Sequence, residues 1–270
     1  SPAHPMQDTV RVLILLPPSE GKSSPRRGKP LSLAALESQE LTDARARLLS
    51  ALVELCANDP DQAAAALGLG PTQAHHLEGN VLLGQAPTAR ADKIYTGVLY
   101  DALDLASLTG AARGRATRWL AIMSSLFGVA RPSDPIPAYR LSGDTNLPGT
   151  GTVSTYWRDH LDAVLAPAAG NGLVIDLRSS MYAGFWRPSP EIAKKVATVR
   201  VLHEHNGQRK VVSHFNKATK GRIVRELLLD GGKPGTPAAL AEHLTGLGWT
   251  VELHPAKATG QQLDVVVSEL

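Results

Sequence analysis

Val12-Leu13-Ile14-Leu15-Leu16 is a short, wholly apolar run that ends on Pro17-Pro18. This predicts a strand buried on both faces, of the kind found inside a mainly parallel sheet. The prolines end it, because neither has an N–H to give to a ladder. Residues 17–30 are rich in Pro, Gly, Ser and basic side chains and predict a loop. A loop at the carboxyl end of a strand is where open α/β sheets bind ligands.

Trp119–Met123 and Leu173–Leu177 read as two further buried strands. Helical spacing places Leu48, Leu49, Leu52, Val53 and Cys56 on one stripe of a helix over Ala44–Cys56. Asp61–Leu67 predicts a short helix. Thr152–Leu165 predicts a longer one, with Val153, Trp157, Leu161 and Val164 on one face. Between them, residues 124–151 form a proline-rich stretch of little periodicity, and a loop of that length in a compact domain is usually functional or mobile. Ala197–Glu204 and Gln208–Phe215 flank His205-Asn206-Gly207, a hairpin signal because Asn and Gly tolerate positive φ. Ala218–Leu229 reads as helix. Thr236-Pro237 has the order of an N-cap and N1 proline, opening a helix to Leu247. Trp249–Leu253 and Leu263–Val267 are the last strands. The sum is one α/β domain over residues 6–270, a mixed sheet with helical insertions. Ser1–Pro5 ahead of Met6 reads as a remnant outside it.

Composition narrows the function classes. Hydrophobic residues make up 43% and charged residues 20% of 270, which is globular rather than disordered. The single cysteine, Cys56, excludes an internal disulfide and a cysteine zinc cluster, and its place in an apolar helix predicts a buried thiol. No apolar run approaches the roughly 18 residues needed to span a bilayer, and no secretory signal is evident. A cytoplasmic protein without a membrane partner is the expectation. His203 and His205 share a strand face but lack a third ligand, so no metal and no cofactor are expected. Dinucleotide, zincin and nucleophile-elbow motifs are missing.

The net charge is +3 and the pI about 9.0, too little to argue for nucleic acid. Placement says more. Gly21-Lys22-Ser23 ends like a Walker A loop, but position 16 is Leu, so Lys22 reads as a lysine presented to an anion. Thr96 and Gly97 lie in Tyr95-Thr96-Gly97-Val98, a turn between short helical pieces that can aim N–H groups at phosphate. Arg131 and Arg140 stand in the long loop beside Asp134 and Tyr139. Arginine suits phosphate or carboxylate, and an Arg131–Asp134 salt bridge is the structural alternative. Asp176, Arg178, Ser179, Ser180 and Tyr182 gather at the end of the third strand. From Arg209 to Arg225 there are six Lys or Arg and no acid, with Lys217, Lys220 and Arg222 at a strand-to-helix junction. Cations at a helix N-terminus oppose its dipole by roughly 0.3–1 kcal/mol each, and a bound anion would relieve that.

These segments, in this order, resemble the YaaA family of peroxide-stress proteins. The matching pieces are Leu13–Lys22, Tyr95–Gly97, Leu126–Pro132, Pro137–Leu141, Tyr156-Trp157 and Ser213–Gly221. The resemblance implies the family's unusual α/β fold, a positively charged cleft and a helix–hairpin–helix-like element around Tyr95–Gly97. It also implies DNA binding and a role in limiting iron-dependent oxidative damage. Phosphate would then meet Lys22, Thr96, Gly97, Arg131, Arg140, Ser179, Ser180, Tyr182, Lys217, Lys220 and Arg222. The alternative is an enzyme acting on a phosphorylated nucleotide-like ligand in the same cleft. There Lys22, Arg178 and Lys217 would hold the anion, Asp176 or Glu20 would move a proton, and Tyr139 or Tyr182 would stack on or hydrogen-bond the base.

Overall fold

The computed structural model describes residues 11–268; the segment Ser1–Pro5 and the expected domain start at Met6 lie outside them. In chain order the strands are β1 (Val12–Leu16), β2 (Ala89–Arg90), β3 (Leu120–Ser124), β4 (Gly128–Ala130), β5 (Pro135–Ile136), β6 (Asn146–Leu147), β7 (Gly151–Thr152), β8 (Leu173–Asp176), β9 (Val196–His205), β10 (Gln208–Lys210), β11 (Thr250–Leu253) and β12 (Gln261–Val267). The helices are α1 (Thr42–Asn58), α2 (Pro60–Leu67), α3 (His75–Val81), α4 (Ala91–Ile94), α5 (Val98–Leu103), α6 (Gly110–Trp119), α7 (Val153–Arg158), α8 (Asp162–Ala169), α9 (Ser180–Ala183), α10 (Pro190–Ala193), α11 (Ser213–Asp230) and α12 (Pro237–Gly246).

Eight strands form one mixed sheet in the order β11-β12-β9-β8-β1-β3-β4, with β10 paired to β9. The interior is parallel: β1 runs with both β8 and β3, and β9 with β8 and β12. Antiparallel partners close the ends, β4 on β3 and β11 on β12. The fold is α/β. All five residues of β1 and of β3 are buried, which is why these segments carry no polar alternation. One apolar cluster runs from Val12 to Val265.

The topology positions the site. From β1 the chain passes through α1–α6 to β3 on one flank, then returns to β8 on the other. The loops after β1 and β8 therefore diverge, and a crevice opens between their carboxyl ends. Helix α11 reaches this crevice by lying very close to α5. A Cβ on Gly221 would stand 2.3 Å from the Leu99 carbonyl oxygen, so only glycine permits that approach.

Several local expectations are corrected. The hairpin turns at Asn206 (φ 52°) and Gly207 (φ 75°), but its second arm stops at Lys210. Val211, 64% exposed, has no sheet to cover it, and α11 begins at Ser213 instead of Ala218. The helix expected over 152–165 is two, α7 and α8. The chain tightens between them, His160 donating to the Trp157 carbonyl, and this sinks Trp157 and Leu161 together. On α1 the stripe contains a fully buried arginine. Arg45 donates to the carbonyls of Phe127, Val129 and Glu37, and burial pulls its guanidinium down to about 10. Cys56 is buried, as its place in the stripe predicted.

Candidate functional site

The loop after β1 is held in a fixed shape by the segment around Tyr95. Ser19 Oγ donates to the Gly21 carbonyl (2.6 Å) and accepts the Thr96 N–H (3.0 Å). The Ser23 N–H bonds the Ile94 carbonyl, and Tyr100 Oη donates to the Pro17 carbonyl at 2.6 Å. Gly97, at φ 100°, turns the chain from α4 into α5. The Thr96 amide is thus spent on the loop. Tyr95-Thr96-Gly97 is a buttress for Pro17–Lys22 built between helices of four and six residues.

That buttressing sets Lys22. Its Nζ donates to the carbonyls of Ser19 (2.7 Å) and Glu20 (3.2 Å) and sits 4.3 Å from the Tyr139 ring centroid. The ring cannot swing away. Tyr139 Oη is hydrogen-bonded to Tyr95 Oη and to Ser124 Oγ, both at 2.8 Å, and Ser124 Oγ accepts the Phe127 N–H. Burial lowers the Lys22 ammonium to about 7; Arg140 adds repulsion and Glu20 offsets part of it. The Glu20 carboxylate bonds the Arg140 guanidinium rather than Lys22.

Around this loop the crevice has two lobes. The larger, about 690 Å³, is bordered by Lys22, Arg140, Asp144, Tyr182 and Lys217. The second, about 630 Å³, is bordered by Thr96, Gly97, Leu99, Leu177, Val211 and Lys220. Pro18, Ser19, Glu20, Ser179, Ser180 and Lys217 border both. Lys217 and Lys220 come from the first two turns of α11. Among the described residues neither makes an ion pair. Burial lowers Lys220 below its usual range, with Asp176 pulling the other way.

The same chain matches the sequence profile described as peroxide stress protein YaaA over residues 12–251. It belongs to that family. It is 51% identical over 261 residues to a UPF0246 protein of Streptomyces coelicolor, covering 96% of this chain and all of that one. A UPF0246 protein of Corynebacterium efficiens is 41% identical over 250 residues, 91% of this chain and 97% of that one. Membership associates the chain with peroxide stress.

Not every expected site residue of this YaaA-family chain reaches the cleft. Asp176 and Arg178 form a closed pair. Both carboxylate oxygens accept from the guanidinium at 2.9 Å, and Oδ1 also accepts the Arg178 N–H. Arg178 Nη1 donates to the Trp186 carbonyl at 2.9 Å, and its side chain is 3% exposed. In this arrangement the carboxylate and the guanidinium occupy each other. Arg131 is also engaged elsewhere. It donates to the Arg118 carbonyl and approaches Glu37 at 3.6 Å, while Asp134 binds the Arg131 backbone N–H instead of its guanidinium. Arg222 stands on the exposed side of α11, bonded to Thr219 Oγ1. The basic run divides further: Arg209 pairs with Glu204 and Glu252, and Arg225 caps the Leu103 and Asp104 carbonyls.

Residues absent from the expected set also line the larger lobe: Ala65–Gly68 at the end of α2, and Ser142, Asp144 and Thr145. Ser142 Oγ donates to Asp144 Oδ1 at 2.6 Å. These residues fall in the proline-rich stretch 124–151, where the sequence singled out only Arg131, Asp134, Tyr139 and Arg140.

Proposed function

We propose that the crevice between the ends of β1 and β8 holds one phosphorylated small molecule of about nucleotide size. Through that ligand this YaaA-family protein would act in peroxide stress. The carrying observation is that Lys217 and Lys220, which make no ion pair among the described residues, border a half-enclosed space of several hundred Å³. Ligand pockets fall in that size range. Two ammonium groups on the opening turns of α11 stay unneutralised until an anion arrives. Lys22 and Arg140, the latter paired with Glu20, stand on the other wall, and the exposed Val211 offers apolar surface for a base. Thermal shift with a panel of nucleotides and sugar phosphates tests this. Saturation at 100 times the dissociation constant adds about 2.7 kcal/mol of stability. No shift with any phosphorylated compound, at concentrations up to several millimolar, sinks the reading.

Duplex DNA, and with it a role in limiting iron-dependent damage, is the second reading. It is favoured by the exposure of Lys217 and Arg222 along α11. A duplex would give a log–log salt slope of about −0.9 per phosphate neutralised. A mononucleotide contacting two lysines would give a much shallower slope. Titrating both ligands at several salt concentrations separates the two readings.

A further inference from the structure

Lys22 is half-buried and does not resemble the buried cations. Arg178 has a carboxylate, and Arg45 donates to the carbonyls of Phe127, Glu37, Ser38 and Val129. Lys22 makes no ion pair among the described residues. Its nearest acid, Glu20, is held by Arg140. Its two hydrogen bonds, to the Ser19 and Glu20 carbonyls, are as many as an uncharged amine can donate, and they leave a lone pair. The fixed Tyr139 ring face favours the cation. Burial and Arg140 oppose it and bring its titration to about 7. Tyr95 and Tyr139 also face it, both held neutral by burial, and His76 of α3 feels the same charges and is itself lowered. A lysine that is desolvated and set beside another cation is a nucleophile in waiting.

We infer that Lys22 forms an imine with the carbonyl carbon of a phosphorylated aldehyde or ketone bound in the larger lobe. The inference rests on the anion-binding reading above, since Lys217 and Arg140 border the same lobe and would hold the phosphate. The amine lone pair forms the C–N bond while the C=O π pair moves to oxygen. One amine proton passes to that oxygen through solvent and gives a carbinolamine. The C–O bond then breaks, the oxygen leaves as water with the second amine proton, and the nitrogen pair completes C=N. Amine and carbonyl become imine and water, and no oxidant or reductant is needed.

Reductive trapping tests it. The full chain is incubated with glyceraldehyde 3-phosphate and sodium cyanoborohydride at pH 7, and adducts are located by peptide mass spectrometry. A lysine titrating at 7 is about half free amine at that pH, against about one in 2,500 for an ordinary lysine. Lower intrinsic nucleophilicity takes back part of this, so labelling of Lys22 about tenfold above the mean of exposed lysines is expected. Excess inorganic phosphate should suppress it, and Lys22→Arg should abolish it while keeping the parent's cooperative thermal unfolding. Labelling spread evenly over the lysines, with Lys22 not enriched, overturns the inference. If nucleotides still bind in that case, the anion reading stands without it. If glyceraldehyde lacking phosphate labels Lys22 equally well and phosphate does not compete, the phosphorylated substrate and the anion reading fall together, and only the reactive amine survives.

Discussion

The far edge of the sheet and the crevice at the ends of β1 and β8 are both rich in charge, but they treat it differently. At the edge Arg200 and Arg209 find acids. Asp264 on β12 takes two bonds from Arg200 of β9, at 2.8 and 2.7 Å, and further bonds from His254 and Gln262. Arg209 spans Glu204 and Glu252 and ties β10, β9 and β11 together. In the crevice Lys22, Lys217 and Lys220 have no such partner among the described residues, although Asp176 lies close enough to Lys220 to affect its titration. Folding could have matched these lysines with acids, as it did a few residues away at Asp176–Arg178. Charge left unmatched in a concave, partly buried place costs stability, and that cost is recovered only when something anionic binds.

The comparison breaks most sharply at Arg178. Arg178→Ala leaves the buried Asp176 carboxylate alone and should cost about 3–5 kcal/mol in urea unfolding. An effect under about 1 kcal/mol would mean the pair is not structural, and would return Asp176 to the list of reactive groups. Lys22→Met should act in the opposite direction. The folded pKa of about 7 lies below the unfolded 10.5, so between those values the unfolded chain holds more protons and stability rises with pH. Removing the amine should therefore stabilise the protein at pH 7, by about 2 kcal/mol once partial exposure discounts the full shift. The gain should shrink toward pH 10.5. A variant that is less stable than its parent at pH 7 would show that the two carbonyl bonds outweigh desolvation.

At the edge, Asp264 shows the opposite linkage. Burial works against its carboxylate, yet hydrogen bonds from Arg200, His254 and Gln262 win and hold it at about 2, below the usual 3.8. Its contribution is present above about pH 4 and is lost as pH falls through 2. Asp264→Asn should lower stability by up to about 2 kcal/mol at pH 6, with the difference closing in acid. A difference that persists unchanged at pH 2 would assign the loss to packing.

How much of this was legible depended on what each residue type reveals by itself. β1, β3 and β8 were visible because burial on both faces leaves an uninterrupted apolar run, and Thr236 because its N-cap chemistry is local: its Oγ1 accepts the Ala239 N–H. Lys22, Lys217 and Lys220 were found from loop position and an acid-free run. Arg131, Asp176 and Arg178 carry the same functional groups and were placed with them. What separates the two sets is pairing. Whether a guanidinium meets a carboxylate two residues away, or a carbonyl thirteen residues back as Arg131 meets Arg118, is decided by tertiary geometry. The wall at Ala65–Gly68 was invisible for the same reason, since small apolar residues at a helix end carry no chemical mark.

The smallest predicted effect sharpens the comparison most. Lys217→Ala and Lys220→Ala should each weaken a phosphorylated ligand about tenfold, roughly 1.4 kcal/mol. Neither should lower the unliganded melting temperature, because neither lysine has an acid partner to strand. Lys220, half-buried where Lys217 is exposed, should raise it slightly when removed. Arg222→Ala, on the exposed side of the same helix, supplies the contrast. A small ligand in the crevice ignores it, whereas a duplex lying along α11 loses affinity and about one unit of salt slope. If all three substitutions weakened binding equally, the walled crevice would not be the ligand's place, and the unmatched lysines would belong to an open surface.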